Sequence, residues 1–253
     1  MHLSAVSYLN TRPLVWGLMN GPQQGQVQLD FDLPSVCAQR LADASVDAGL
    51  VPVVEVARQH LAQIGSLGIA CRGPVRSILL LSKVPIKDVR TLALDTSSRS
   101  SVVLASIILE QGYNLQPETV SMPPDLTAML GKADAALIIG DPALRIDPEA
   151  SGLHALDLGE EWFKLTQLPM VFAIWAGAKA NPELAVLLEA SYQYGRHRLE
   201  EIVMAEAMER NIWPGLAYEY LHSLIHYELT DEHKRGMKLY VEEAIKMEGK
   251  QLV

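Results

Sequence analysis

Short runs of aliphatic and β-branched residues alternate with amphipathic segments from the N-terminus to about residue 176, and no other feature constrains the fold as tightly. Strands are predicted at Leu3–Ser7, Val27–Phe31, Ala48–Val51, Ser66–Ala70, Ser77–Ser82, Thr91–Leu94, Ala135–Ile138 and Met170–Trp175. Helices are predicted between them at Pro13–Met19, Pro34–Ala42, Val53–Gln59, Ser100–Glu110, Leu126–Leu130 and Ala143–Arg145. Strands separated by helices of two or three turns read as βαβ units, hence as an α/β fold with parallel sheet. Beyond Asn181 the pattern turns helical, over Pro182–Met208, Gly215–His226 and Asp231–Met247. Thr230 or Asp231 suits the cap of the last helix.

Within that frame, Ala5-Val6-Ser7-Tyr8-Leu9-Asn10-Thr11-Arg12-Pro13-Leu14 is a strand running into a helix. Pro13 fits a first helical turn, where the missing N–H has no partner to lose. Tyr8, Asn10, Thr11 and Arg12 crowd hydrogen-bonding side chains at the turn. Open α/β sheets bind ligands at the carboxyl ends of their strands, and helix N-termini attract anions. The turn therefore reads as part of a site for a small anionic molecule.

Two later turns have the same form. In Asp95-Thr96-Ser97-Ser98-Arg99-Ser100-Ser101-Val102 a strand end is followed by hydroxyls and a guanidinium, then an apolar helix. Ser98, Arg99, Ser100 and Ser101 suit a carboxylate, since Arg offers two parallel hydrogen bonds and a helix start offers free N–H groups. A phosphate is disfavoured because neither GxxxxGK[ST] nor GxGxxG occurs. In Ile139-Gly140-Asp141-Pro142, Gly140 permits close backbone approach and Asp141 is expected to cap the next helix. Asp47 and Glu55 flank Val51-Pro52, and either would be a general base only if buried. His222 and His226 fall four apart on a predicted helix and would share a face, but no HExxH or third ligand supports a metal.

The net charge of −9 argues against a nucleic-acid partner. It also raises the weight of Arg12, Arg76 and Arg99 as candidates for holding an anion. Cys37 and Cys71 sit among apolar or small residues without CxxC spacing and are expected to be reduced core thiols. No Ser-His-Asp arrangement or GxSxG elbow is present, and Trp162 and Trp175 are expected in the core. No apolar run reaches the ~18–20 residues of a membrane span, and Met1-His2-Leu3 enters a strand with no leader pattern, so a cytoplasmic location without membrane partner is expected.

The segment Ser7–Leu14, SYLNTRPL, resembles the opening motif of the chorismate dehydratases of the futalosine route to menaquinone. Asp47–Glu55, Ser98–Val102, Ala136–Leu144, and Asp157–Trp162 with Leu168–Ala176 resemble the later motifs, in the family's order. Gln167 stands where the family pattern has Gly, and Met170 where it has Phe. The C-terminal third carries no recognisable motif. The resemblance implies a two-lobed fold like the type II periplasmic binding proteins, with mixed, mainly parallel sheets and a central cleft. It implies lobe one at 1–78 plus 175–253, lobe two at 79–174, and crossings at Arg76–Lys83 and Leu168–Ala176.

The implied reaction dehydrates chorismate to 3-[(1-carboxyvinyl)oxy]benzoate. Asn10 matches the motif asparagine and takes the catalytic role. Thr11, Arg12, Pro52, Ser77, Ser98, Arg99, Ser100, Ser101, Gly140 and Asp141 would contact substrate. Aromatisation drives the reaction, so neither metal nor cofactor is expected. The alternatives are the sister enzyme, 1,4-dihydroxy-6-naphthoate synthase, which SYLNTRPL fits less well, and a non-catalytic solute-binding protein for small anions.

Overall fold

Two mixed β-sheets organise the chain in the computed structural model, which describes residues 1–251. The first part runs β1 (His2–Val6), α1 (Arg12–Asn20), β2 (Gln28–Asp32), α2 (Pro34–Ala42), β3 (Ala48–Pro52), α3 (Val53–Arg58) and β4 (Ala62–Cys71). The second runs β5 (Ile78–Ser82), β6 (Thr91–Asp95), α4 (Ser100–Tyr113), β7 (Glu118–Met122), α5 (Leu126–Leu130), β8 (Ala135–Ile139), α6 (Asp141–Leu144), β9 (His154–Asp157) and α7 (Leu158–Thr166). The last runs β10 (Met170–Gly177), α8 (Pro182–Arg196), α9 (Leu199–Glu206), α10 (Pro214–Glu219), β11 (His226–Glu228) and α11 (Asp231–Gln251).

One sheet has the order β11-β4-β10-β3-β1-β2, the other β7-β6-β8-β5-β9. Parallel pairing is confined to β1 with β2 and β3, and to β6 with β7 and β8. The remaining pairs, β10 with β3 and β4, β11 with β4, and β5 with β8 and β9, are antiparallel. The sheets are therefore mixed, as expected, but not mainly parallel. The continuous apolar stretch Met170–Gly177 is buried along its whole length because it forms the central β10, covered on both faces.

Because β5 lies wholly in one sheet and β10 wholly in the other, the chain passes between sheets at 72–77 and at 167–169. These passages are shorter than the crossings expected at Arg76–Lys83 and Leu168–Ala176. Asp157 pins the first, accepting from the backbone N–H groups of Val75 and Arg76 at the passage and of Gly159 and Glu160 at the start of α7. The second begins at Gln167, where the backbone is left-handed (φ 59°). That conformation explains the expectation of glycine there. Its side-chain amide instead donates to the carbonyls of Phe163 and Lys164 at the end of α7.

Three strands escaped the sequence reading: β7, β9 and β11. All are sheet edges, and edge strands are short and polar because one side meets solvent. The long helix expected over Pro182–Met208 breaks between α8 and α9, where Arg198 donates to the Tyr194 carbonyl. The break lets α9 fold across α1, so that Glu201 meets Trp16 and Glu206 meets Arg12. Trp162 and Trp175 are fully buried, as are both cysteines. Burial raises the Cys37 thiol to about 11 and lifts the Cys71 thiol well above its ordinary value, which disfavours the reactive thiolate at both.

Candidate active site

A cavity lies where the carboxyl ends of β1 and β3 face the start of β5, the end of β8 and the N-terminus of α4. Of the residues singled out from sequence, Asn10, Pro52, Ser77, Ser98, Ser100, Ser101 and Gly140 line it together. Tyr8, Pro34 and Phe172 complete much of the wall. The open space is about 60 Å³, room for a few waters. Among the described residues that line it, none carries a charge. An anion placed there would meet hydroxyls and the N-terminus of the fourteen-residue α4. The Ser100 Oγ and the Asn10 Oδ1 are buried without a hydrogen-bond partner, so both are available to such a ligand.

The expected cations lie elsewhere. Arg12 is buried, stacks over the Phe31 ring at 4.0 Å and donates through Nε to Glu206 at 2.9 Å. Arg76 donates to the Ile146 carbonyl at 2.7 Å. Arg99 reaches from the start of α4 to Glu55 at 3.0 Å, joining the two sheets' helices by an ion pair. Glu55 is buried, which pushes its carboxyl up. Hydrogen bonds from Arg58 and Gln59 and the charges of Arg99 and Arg58 outweigh that and hold it below the usual range. It is therefore a fixed carboxylate, not a general base, and Asp47 is exposed.

Asp141 does not cap α6. It accepts from the Leu9 N–H at 2.9 Å and from Arg210, whose Nη1 also donates to the Ser7 carbonyl at 2.9 Å. Glu206 in turn accepts from Arg12 and Arg210, and their pull overcomes burial to keep its carboxyl below the usual value. The result is a chain, Arg12–Glu206–Arg210–Asp141, buried at both ends and half-buried in the middle, that clamps the Asn10 loop to the end of β8. Thr11 is fully buried beside it and does not line the cavity.

A second link spans the cleft at Tyr8. Its ring covers Gly140, and its hydroxyl lies 3.2 Å from the Ser97 Oγ, which donates to Asp95 at 2.6 Å. Burial pushes the Tyr8 hydroxyl up to about 12 and raises the Asp95 carboxyl. A third link comes from α11, where the Tyr240 hydroxyl donates to the Ser100 carbonyl at 2.6 Å and holds the start of α4.

Sequence reasoning missed the C-terminal contributors: Glu206, Arg210, Tyr220 and Tyr240. Each is separated from its partner by long stretches of chain, and no local pattern marks it. The Asn10 Nδ2 donates to the Tyr220 hydroxyl at 2.9 Å, and that hydroxyl lies 2.8 Å from the Ser77 Oγ. Tyr220 is buried, which raises its hydroxyl far above an ordinary phenol and keeps it protonated. His222 and His226 do not share a helical face. His222 sits in a π turn over Tyr220–Leu224, and His226 is on β11, where its Nδ1 meets the His233 Nε2 at 3.2 Å.

Comparison with known proteins follows the same lines. The model of a family described as menaquinone biosynthesis matches residues 1–246. A chorismate dehydratase of Thermus thermophilus is 30% identical over 203 residues, covering 73% of this chain and 74% of that protein. A chorismate dehydratase of Campylobacter jejuni is 23% identical over 95% of this chain and 96% of that protein. Among solved structures, the periplasmic aliphatic sulphonate binding protein of Escherichia coli superposes with a TM-score of 0.64 at 16% identity, over 100% of this chain and 88% of that one. The fold is thus that of the periplasmic binding proteins. No helix among the described residues is long and apolar enough to cross a membrane.

Proposed function

We propose that this chain, which belongs to the menaquinone biosynthesis family, is a chorismate dehydratase: a carbon–oxygen lyase that converts chorismate to 3-[(1-carboxyvinyl)oxy]benzoate and water on the futalosine route. The observation that carries this reading is Asn10, buried at an uncharged, largely apolar cavity edged by serine hydroxyls, with an unspent amide oxygen. In the reaction the ring C4–O bond breaks and the C3–H bond gives its electrons to the new ring double bond. The hydroxyl leaves as water with the C3 proton. Aromatisation supplies the driving force, so the chemistry asks for no metal, hydride carrier or covalent nucleophile.

What the site must do is hold a diacid in one conformation and assist the hydroxyl's departure. Ser77, Ser98, Ser100 and Ser101, with the N–H groups at the start of α4, take the carboxylates. The Asn10 amide meets the departing hydroxyl, a placed polar group of the kind that contributes strongly to rate. Asn is too weak a base for the C3 proton; the substrate's own enolpyruvyl carboxylate accepts it once its position is fixed and passes it to the departing hydroxyl, which leaves as water. Pro52 and Gly140 shape the wall. Arg99 acts through closure against Glu55, and Thr11, Arg12 and Asp141 by securing the Asn10 loop. The passages at 72–77 and 167–169 would serve as the hinge between two lobes, since a substrate of this size needs the cleft to open. Closure then excludes water from a substrate prone to other fates. The reading places the enzyme in the cytoplasm.

The test is incubation of the purified chain, treated with chelator, with chorismate, followed by chromatography with mass detection. An aromatic product lighter by one water, formed only with the protein, is the expected result. Chorismate recovered intact would refute the reading. A raised melting temperature in chorismate would then point to a binding protein, and none to the naphthoate synthase.

A further inference from the structure

We propose that Tyr220 is a positioning residue for the dehydration, holding the Asn10 amide in one orientation and setting the direction of the Ser77 hydroxyl. The inference rests on the chorismate dehydratase reading and extends it to the part of the chain where no family motif lies.

The argument is one of hydrogen-bond accounting. An amide nitrogen only donates, so in the contact with the Asn10 Nδ2 the Tyr220 oxygen is the acceptor. A phenol has a single hydrogen, and its other neighbour is the Ser77 Oγ, so that hydrogen goes to Ser77. Ser77 therefore cannot donate to Tyr220, and its own hydrogen is left for the cavity that it lines. Asn10 keeps its second N–H and its unpaired Oδ1 for the substrate. Without Tyr220 the amide torsion of Asn10 is soft, because such terminal torsions have broad wells. One bond to a fully buried, protonated phenol removes that freedom.

The backbone supports this placement. Helix α10 ends at Glu219, and the next turn widens to π geometry over Tyr220–Leu224. Such turns are rare and gather at functional sites. The turn carries Tyr220 inward, where it is 1% exposed, while His222 two residues on stays at the surface. No proton leaves Tyr220 in the reaction. Its contribution is to spare the transition state the work of orienting Asn10 and Ser77.

The experiment compares the wild-type chain with Tyr220→Phe, Asn10→Ala and the double variant, in steady-state chorismate kinetics and thermal melting. Phenylalanine retains the buried ring, and the melt verifies the fold. In Tyr220→Phe, kcat is expected to fall about 10- to 100-fold with KM within roughly 3-fold, a loss confined to the transition state. In the Asn10→Ala background the same change is expected to cost clearly less, only the part that comes through Ser77, since there is no amide left to orient. A wild-type kcat in Tyr220→Phe overturns the inference. So does an undiminished loss in the double variant, which would mark a role in packing alone. A wild-type chain that leaves chorismate intact overturns the dehydratase reading and this inference with it, and that result is visible before any variant is made.

Discussion

Gly140→Ala tests how tightly the Asn10 loop is fitted to the other side of the cleft. Gly140 has φ 65° and ψ −146°, a region open essentially to glycine alone. Its N–H donates to the Ser77 carbonyl at 2.7 Å, so the backbone cannot relax without disturbing Ser77. An added Cβ would lie 2.5, 2.6 and 2.7 Å from three atoms of the Tyr8 ring. Backbone strain of this type is worth ~1–3 kcal/mol. Moving Tyr8 aside also forfeits its hydrogen bond to Ser97, about 0.5–1.5 kcal/mol. Together these give a loss of roughly 2–4 kcal/mol. At ~2–4 °C per kcal/mol for a chain of this size, the melting temperature should drop by about 4–16 °C. Calorimetry of the wild type, Gly140→Ala, Tyr8→Ala and the double variant resolves the two parts. In the Tyr8→Ala background the Gly140→Ala cost should shrink to its backbone share, ~1–3 kcal/mol. A Gly140→Ala protein that melts within about 1 °C of wild type would refute the reasoning, because neither strain nor collision would then be present.

Two further outcomes follow from the same geometry. Asn10→Ala should lower kcat for chorismate by roughly 100- to 1000-fold while leaving KM nearly unchanged, the pattern of a lost transition-state contact; turnover at the wild-type rate would remove Asn10 from the chemistry. For pH, burial and the neighbouring Arg72 charge lower the His226 pKa, and burial with the His226 charge lowers that of His233, both from an ordinary 6.5. The unfolded chain then takes up these protons first, so this stability is complete above about pH 6.5 and is lost as pH falls below it. Thermal melts at a series of pH values should show that decline, and a His233→Gln variant should show less of it; parallel profiles for the two proteins would rule out the histidine pair as its source.

Much of the cavity was legible because strand-to-helix turns are local. Tyr8, Asn10 and Pro13 lie within one turn, and Ser98 to Ser101 within another, so spacing alone places polar groups at strand ends. What spacing could not show is which charges are spent on other charges. Arg12, Arg99 and Asp141 look identical in sequence whether they meet a substrate or a partner. Their partners Glu206, Glu55 and Arg210 are distant in the chain. The same limit hid the three edge strands, whose polar pattern reflects one-sided burial, and His226, whose strand pairing with β4 overrides a helical spacing.

The C-terminal third shows why motif content and contribution to a site can diverge. A residue that touches substrate must present a given group at a given place, which leaves a readable local pattern. A residue that holds such a group needs only to reach it from behind, and any element passing there will serve. Tyr220 reaches Asn10 and Ser77 from a π turn, Tyr240 reaches the Ser100 carbonyl from α11, and Glu206 with Arg210 bind the loop from α9 and the turn beyond it. Each of these contacts ties the helical end of the chain to a cavity-lining residue or to the Asn10 loop. On the proposed chemistry the rate therefore depends on groups supplied by one part of the chain and on their orientation, supplied by another. Tyr220→Phe separates the two, because it alters the orientation while leaving every proposed substrate contact in place.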